Sequence, residues 1–403
     1  MTPTRAGLVL PALVLVLSGC GAVSAVTLRS TTDGVAFADA APHLPRPAIT
    51  STPTPTLPPA STLPPVAHGL PGSVVVTLPA TGGNEWLEIL TAAGAVVART
   101  EITPTEPWLT RAGLGGAYWT QGGVEHELTT ANTVRSLGPV PSDANGVVIA
   151  PDGVSYAYAT SDVNSSGVAV NKITVVHPGR APEVIGDRVS DPNHPTSDAP
   201  DSWDYYLIGW TTPGIAFARV PTGGCGCGSF DMQMQSAFSA VINPDSATVT
   251  TLTADGTCPL SNVGPGLGDV CFATNAKGGT DAIRTVMGGI TRTYPMSGAN
   301  VAGNAVFSST GSAVAYETIP IGEDSCGATL TPTLHILTVV TGAAIAATIG
   351  DFTPVAWAPG GAIYGQLESD SYANGWVVAV NPATFAVTRL TADVPGVALV
   401  GIM

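Results

Sequence analysis

Ala150-Pro151-Asp152-Gly153-Val154-Ser155-Tyr156-Ala157-Tyr158 is a tight turn that runs into an apolar strand, and the chain repeats it. Ser308-Ser309-Thr310-Gly311-Ser312-Ala313-Val314-Ala315-Tyr316 and Ala358-Pro359-Gly360-Gly361-Ala362-Ile363-Tyr364 are further copies, and weaker ones turn at Gly115, Gly214 and Gly268. Glycine supplies the positive φ that such a turn needs between two strands. From Gly115 to Gly153, Gly214, Gly268, Gly311 and Gly361 the steps are 38, 61, 54, 43 and 50 residues. Periods of this length, each holding about four short strands, mark the blades of a β-propeller.

A second repeat supports the same reading. Asn243-Pro244-Asp245-Ser246-Ala247-Thr248-Val249-Thr250-Thr251-Leu252-Thr253-Ala254-Asp255 returns from Asn381 to Asp393 with eight of thirteen positions identical. Each copy is an Asn-Pro turn followed by a strand of alternating branched and polar residues. The Ala150-Pro151-Asp152-Gly153 turn resembles the TolB-like, WD40-like propeller repeat, in which a Ser/Ala-Pro-Asp-Gly turn leads into an apolar strand ending in an aromatic. Ala358-Pro359-Gly360-Gly361 matches it in part. The resemblance covers roughly residues 73–403 and implies fold rather than function, because such propellers host binding, scaffolding and catalysis alike.

The ends of the chain set the blade count. Gly396-Val397-Ala398-Leu399-Val400-Gly401-Ile402-Met403 supplies one strand. Val74 to Leu78, Trp86 to Leu90 and Ala95 to Arg99 supply three with no innermost partner. One and three make a blade, and closing the ring this way leaves no bare innermost edge. Six internal turns and this composite blade predict an all-β fold: a single propeller of seven four-stranded blades, six being the alternative count.

Composition agrees. Only 11% of the 403 residues are charged, Gly (47) and Pro (35) are abundant, and Lys172 and Lys277 are the only lysines. The net charge is −15, which would repel nucleic acid and anionic lipid head groups. Apolar runs beyond Cys20 are broken by Gly, Pro and Thr before they reach the roughly 20 residues of a spanning helix.

Ahead of the propeller lie two segments of different character. Arg5 and the apolar run from Ala6 to Leu17 form a secretory core that ends in Leu17-Ser18-Gly19-Cys20. These four residues resemble a bacterial lipobox, which implies a signal peptide over residues 1–19 and lipid attachment at Cys20. The protein is then expected on the extracytoplasmic face of the cell membrane, at the bacterial surface. Residues 20–72 hold an N-terminal segment and a tether. From Ala41 to Val66 the chain has nine prolines among Thr and Ser, an extended polyproline-type spacer of about 80 Å at roughly 3.1 Å per residue.

Chemistry is sparse by comparison. No Gly-x-Ser-x-Gly elbow, phosphate loop or His-Glu-x-x-His motif occurs, and His43, His68, His126, His177, His194 and His335 are scattered. Once Cys20 is lipidated, Cys225, Cys227, Cys258, Cys271 and Cys326 remain, and outside the cell structural disulfides are the expectation. Two bridges among five cysteines can form in fifteen ways, and spacing does not choose. No metal or other cofactor is expected. The longest polar insertion carries Asp191, His194, Asp198, Asp201, Trp203 and Asp204 and is the candidate binding loop.

The expected function is therefore non-catalytic: a monomeric, surface-anchored binding or scaffolding propeller for a protein, glycan or envelope component. The alternative is a secreted hydrolase or lyase that uses face carboxylates such as Asp191, Asp198, Asp201 or Asp204, since paired carboxylates do glycoside chemistry.

Overall fold

The clearest of the repeated turns owes its form to one side chain. Asp152 Oδ1 accepts from the amides of Val154 (2.9 Å) and Ser155 (2.8 Å), while Oδ2 accepts from Ser155 Oγ (2.6 Å). Gly153 stands at φ 71° and its amide donates to Ala150 O, closing the turn. Gly311 and Gly361 repeat that closure onto Ser308 and Ala358. The Asn-Pro turns are likewise built alike. Asn243 Oδ1 accepts from Asp245 and Ser246, and Asn381 Oδ1 from Ala383 and Thr384. The residue four on in each, Ala247 (φ 54°) and Phe385 (φ 57°), takes the left-handed conformation that closes the turn.

A computed structural model describes residues 72–103, 110–163, 169–189, 203–221, 238–253, 258, 260–263, 268–287, 290–321, 331–368, 374–392 and 394–403. They form seven antiparallel sheets arranged as the blades of a propeller ring. From innermost to outermost strand, blade 1 is Thr110–Ala112, Gly116–Gln121, Val124–Thr129 and Val134–Pro139. Blade 2 is Ala144–Ile149, Tyr156–Val163, Ala169–Val176 and Glu183–Val189, and blade 3 is Trp203–Thr211, Gly214–Pro221, Phe238–Ile242 and Val249–Thr253. Blade 4 is Leu260–Val263, Asp269–Thr274, Thr280–Met287 and Ile290–Pro295, and blade 5 is Asn300–Phe307, Ala313–Pro320, Thr333–Thr338 and Ala344–Ala347. Blade 6 is Asp351–Trp357, Ile363–Glu368, Asn374–Val380 and Val387–Arg389, with Val394–Pro395 added beside Asn374 and Gly375.

Blade 7 closes the ring. Its innermost strand is Ala398–Ile402, followed by Val74–Pro79, Glu85–Leu90 and Val96–Ile102. Val76 lies opposite Leu399 and Val74 opposite Ile402, with a register shift between Val75 and Val76. Beyond the strands, Met403 N donates to Ser73 O and Gly72 N to Met403 O. The chain ends thus form one backbone ladder, as the composite blade requires.

Apolar seams hold neighbouring blades together. Val148, Ala157, Ile173 and Ile185 of blade 2 pack on Tyr205, Leu207, Ile215, Phe217 and Ile242 of blade 3. Equivalent clusters join blades 4 and 5, 5 and 6, 6 and 7, and 7 and 1. The period-2 alternation of each strand sends one set of branched residues to each neighbouring blade. One disulfide is described, between Cys258 and Cys271 in blade 4, with Cα atoms 5.2 Å apart.

Candidate functional site

Of the candidate loop, Asp191, His194, Asp198 and Asp201 lie outside the described residues, as do Cys20, Cys225, Cys227 and Cys326. Trp203 opens the innermost strand of blade 3, opposite Pro221. Asp204 follows it, half-buried. Burial raises its carboxyl above the ordinary range, and a hydrogen bond from Ser161 of blade 2 opposes the rise. The described histidines stay apart: His126 stacks on Trp119, His335 stacks on Tyr316, and His177 bonds Ser155 Oγ.

Strand alternation places several carboxylates inside the ring. In blade 1, Glu125 and Glu127 are fully buried on the third strand. Arg111 Nη2 donates to both oxygens of Glu125 at 2.5 Å, and Thr120 Oγ1 donates to Oε2. Arg135, opposite Glu127 in register, donates to it through Nε at 2.7 Å. Among the described residues, blades 4 and 5 pair no such cation with their buried carboxylates. Asp269 is fully buried, and desolvation pushes its carboxyl up to about 7. Only the Val286 amide opposes the rise, without reaching proper hydrogen-bond geometry. Glu317 is held by Asn304 Nδ2 at 2.9 Å, its other oxygen has no partner, and burial with nearby Asp351 pushes it up to about 8. Asp351 lies opposite Glu368 in blade 6, and burial raises both.

The cleft that gathers accessible polar and apolar groups lies elsewhere, between blades 6 and 7. In blade 7, Leu78 lies opposite Trp86, Val76 opposite Glu88, and Val74 opposite Leu90, so these side chains share the face turned to blade 6. Val74, Val76, Leu78 and Leu90 pack there with Tyr364, Val377 and Leu390 of blade 6. Nearer the rim the blades part, leaving a cavity of about 440 Å³ lined by Leu78, Pro79, Trp86, Glu88, Leu390 and Thr391 among others. Gly94 (φ 84°) also lines it, and an added Cβ there would stand 2.6 Å from Leu390 O.

Two groups give this cleft its electrostatics. The Arg99 guanidinium sits over the Trp86 ring at 4.1 Å, and its Nε lies 3.9 Å from Glu88 Oε1. Burial raises the Glu88 carboxyl and Arg99 lowers it. The ion pair is the one polar partner of Glu88 among the described residues, so its oxygens keep acceptor capacity. A smaller cavity of about 340 Å³ sits among the innermost strands, lined by Thr211, Asn262, Phe307, Val355, Trp357 and Ile402 among others. Trp86, Glu88 and Thr391 were not singled out from sequence. Their one signal is parity, since Trp86 and Glu88 alternate with the buried Leu87 and Ile89.

No family model matches the sequence, and no curated protein matches it. Solved structures do resemble it in fold. TolB from Acinetobacter baumannii is 10% identical, with a TM-score of 0.43 over 81% of this chain and 81% of that one. An oligogalacturonate lyase in complex with manganese is 10% identical, with a TM-score of 0.36 over 76% of this chain and 70% of that one. The Pyrococcus horikoshii acylaminoacyl peptidase is 10% identical, with a TM-score of 0.50 over 79% of this chain and 50% of that one. At such identities the likeness concerns fold alone.

Proposed function

We propose that this chain is a non-catalytic binding or scaffolding module, a monomer presented at the bacterial cell surface by a lipid on Cys20. Its partner would be a protein, glycan or other envelope component. The observation that carries the binding reading is the cleft between blades 6 and 7. It is open, largely apolar and of ligand size, and it presents one carboxylate with unused acceptors. A closed ring suits that task, because packed seams hold the walls in place and little order has to be imposed on binding. Anchoring rests on Leu17-Ser18-Gly19-Cys20, and spacing from the membrane on the proline-rich residues 41–66.

The test is retention of native envelope material on the immobilised full chain, compared with an Ala392→Trp variant. Ala392 is an exposed residue lining the cleft, so the larger ring fills the cavity without disturbing a seam. Capture by the wild type and loss in the variant are expected; equal capture by both would overturn the reading. The intact mass of the native protein tests the anchor. A diacylglyceryl-modified Cys20 at the N-terminus is expected, and an unlipidated start at Val26 contradicts it.

One pair of residues favours the hydrolase or lyase alternative, namely Asp351 and Glu368. They face each other across two strands of blade 6 with both carboxyls raised. A pair of that kind supplies acid and base for glycoside chemistry when both groups reach substrate. Release of reducing ends from envelope polysaccharide, lost in Asp351→Asn and in Glu368→Gln, would support this reading over the binding one.

A further inference from the structure

Resting on the binding reading, we infer that the cleft between blades 6 and 7 takes a neutral pyranose ring, free or within a polysaccharide. The walls decide the class. Trp86, Leu78, Pro79 and Leu390 offer apolar surface, and an indole packs well against the C–H face of a sugar ring. Glu88 lies among them with unused acceptor capacity, so it suits hydroxyl donors. Thr391 adds a hydroxyl on the opposite wall. Its Oγ1 already accepts from Val377 N at 3.0 Å, which fixes its position and leaves its own proton to donate.

Charge excludes the competing classes. A ligand cation would find Glu88 already paired with Arg99 and would meet the like charge of that guanidinium beside the cavity. A ligand anion would meet the like charge of Glu88 in a partly desolvated setting, where repulsion is weakly screened. Opposite charges of Glu88 and Arg99 leave the wall close to neutral, so an uncharged amphipathic ligand fits best. The cavity of about 440 Å³ falls within the roughly 300–1,000 Å³ of small-ligand sites and admits a ring with part of its neighbour.

The experiment titrates the full chain with cellobiose, maltose and N,N′-diacetylchitobiose, and with a soluble polymer of each repeat. Binding is read by tryptophan fluorescence and by saturation-transfer NMR. At least one sugar is expected to bind saturably, and Trp86→Ala should weaken it about tenfold or more. Should Trp86→Ala fail to fold, Ala392→Trp replaces it, since it obstructs the cleft from its exposed side. Glu88→Gln should weaken binding less, because an amide still accepts from a hydroxyl. Tight binding of the polymer with weak binding of the disaccharide would identify a polysaccharide as the ligand; the reverse would identify a free sugar. No saturable binding by any probe, or unchanged affinity in Ala392→Trp, overturns the inference. Failure here with cleft-dependent capture of envelope material intact would leave the binding reading standing and remove only the sugar.

Discussion

Blade 1 and blade 5 both bury glutamate, and they differ in whether a cation reaches it. In blade 1 Arg111 reaches Glu125 from the innermost strand, two strands away, and Arg135 meets Glu127 from the adjoining outermost strand. Burial still raises the Glu127 carboxyl, and its Oε1 has no partner among the described residues. In blade 5 Glu317 has one amide donor, an unpartnered oxygen and Asp351 nearby, so burial drives it toward the protonated form. The two blades share strand order and antiparallel register. What differs is whether a cation occupies a facing position. The contrast teaches that the fold tolerates a carboxylate inside the ring either way, at different pH-dependent cost.

The largest effect should come from breaking the tighter pair. Arg111→Met leaves fully buried Glu125 without its cation, and unfolding in denaturant should show a loss of about 3–5 kcal/mol. A loss under about 1 kcal/mol would mean that water or another group compensates the carboxylate. Blade 4 offers a third arrangement, in which buried Asp269 sits two residues from a disulfide cysteine. Reducing Cys258–Cys271, which closes a loop of 13 residues, should cost about 3 kcal/mol by constraining the unfolded chain less. The deficit should narrow from pH 4 to pH 7, because looser packing lets water reach Asp269 and lowers the cost of ionising it.

Glu317→Gln sharpens the contrast from the other side. The folded carboxyl titrates near 8 and the unfolded one near 4.5. The folded state therefore binds the extra proton, and that contribution is fully present below pH 4.5 and lost as pH rises through 8. The variant should match wild type at pH 4 and exceed it by a few kcal/mol, up to about 4, at pH 8. Equal stability at both values would show that Glu317 is solvated or paired. Arg135→Met should have the smallest effect, about 1–2 kcal/mol, because a third of the Arg135 side chain is exposed and water reaches the pair more readily.

The ring was legible because its turns are local. Asp152, Asn243 and Asn381 each satisfy amides two and three residues ahead, so the sequence interval alone carries the geometry. Closure was legible too, since three unpaired strands at one end and one at the other leave few pairings. The cleft was not. Its walls come from residues 78–96 and 390–392, brought together only when the ring shuts. The bridge between Cys258 and Cys271 was one of several equal possibilities until the first two strands of blade 4 were placed side by side. Glu317 did carry a signal, because in Ala313-Val314-Ala315-Tyr316-Glu317 it shares parity with residues that face blade 6.

The two seams that flank blade 7, and the cleft beside it, depend on closure by the C-terminal strand. Amide hydrogen exchange on the intact protein tests that directly, because Val74–Pro79 and Ala398–Ile402 share one backbone ladder. In a closed ring the amides that bridge these strands, with Met403 N onto Ser73 O, exchange as slowly as those of the inner strands of blade 5. Rapid exchange in 398–403, with the inner strands of blade 5 still protected, would show that the ring is not shut by its own C-terminus.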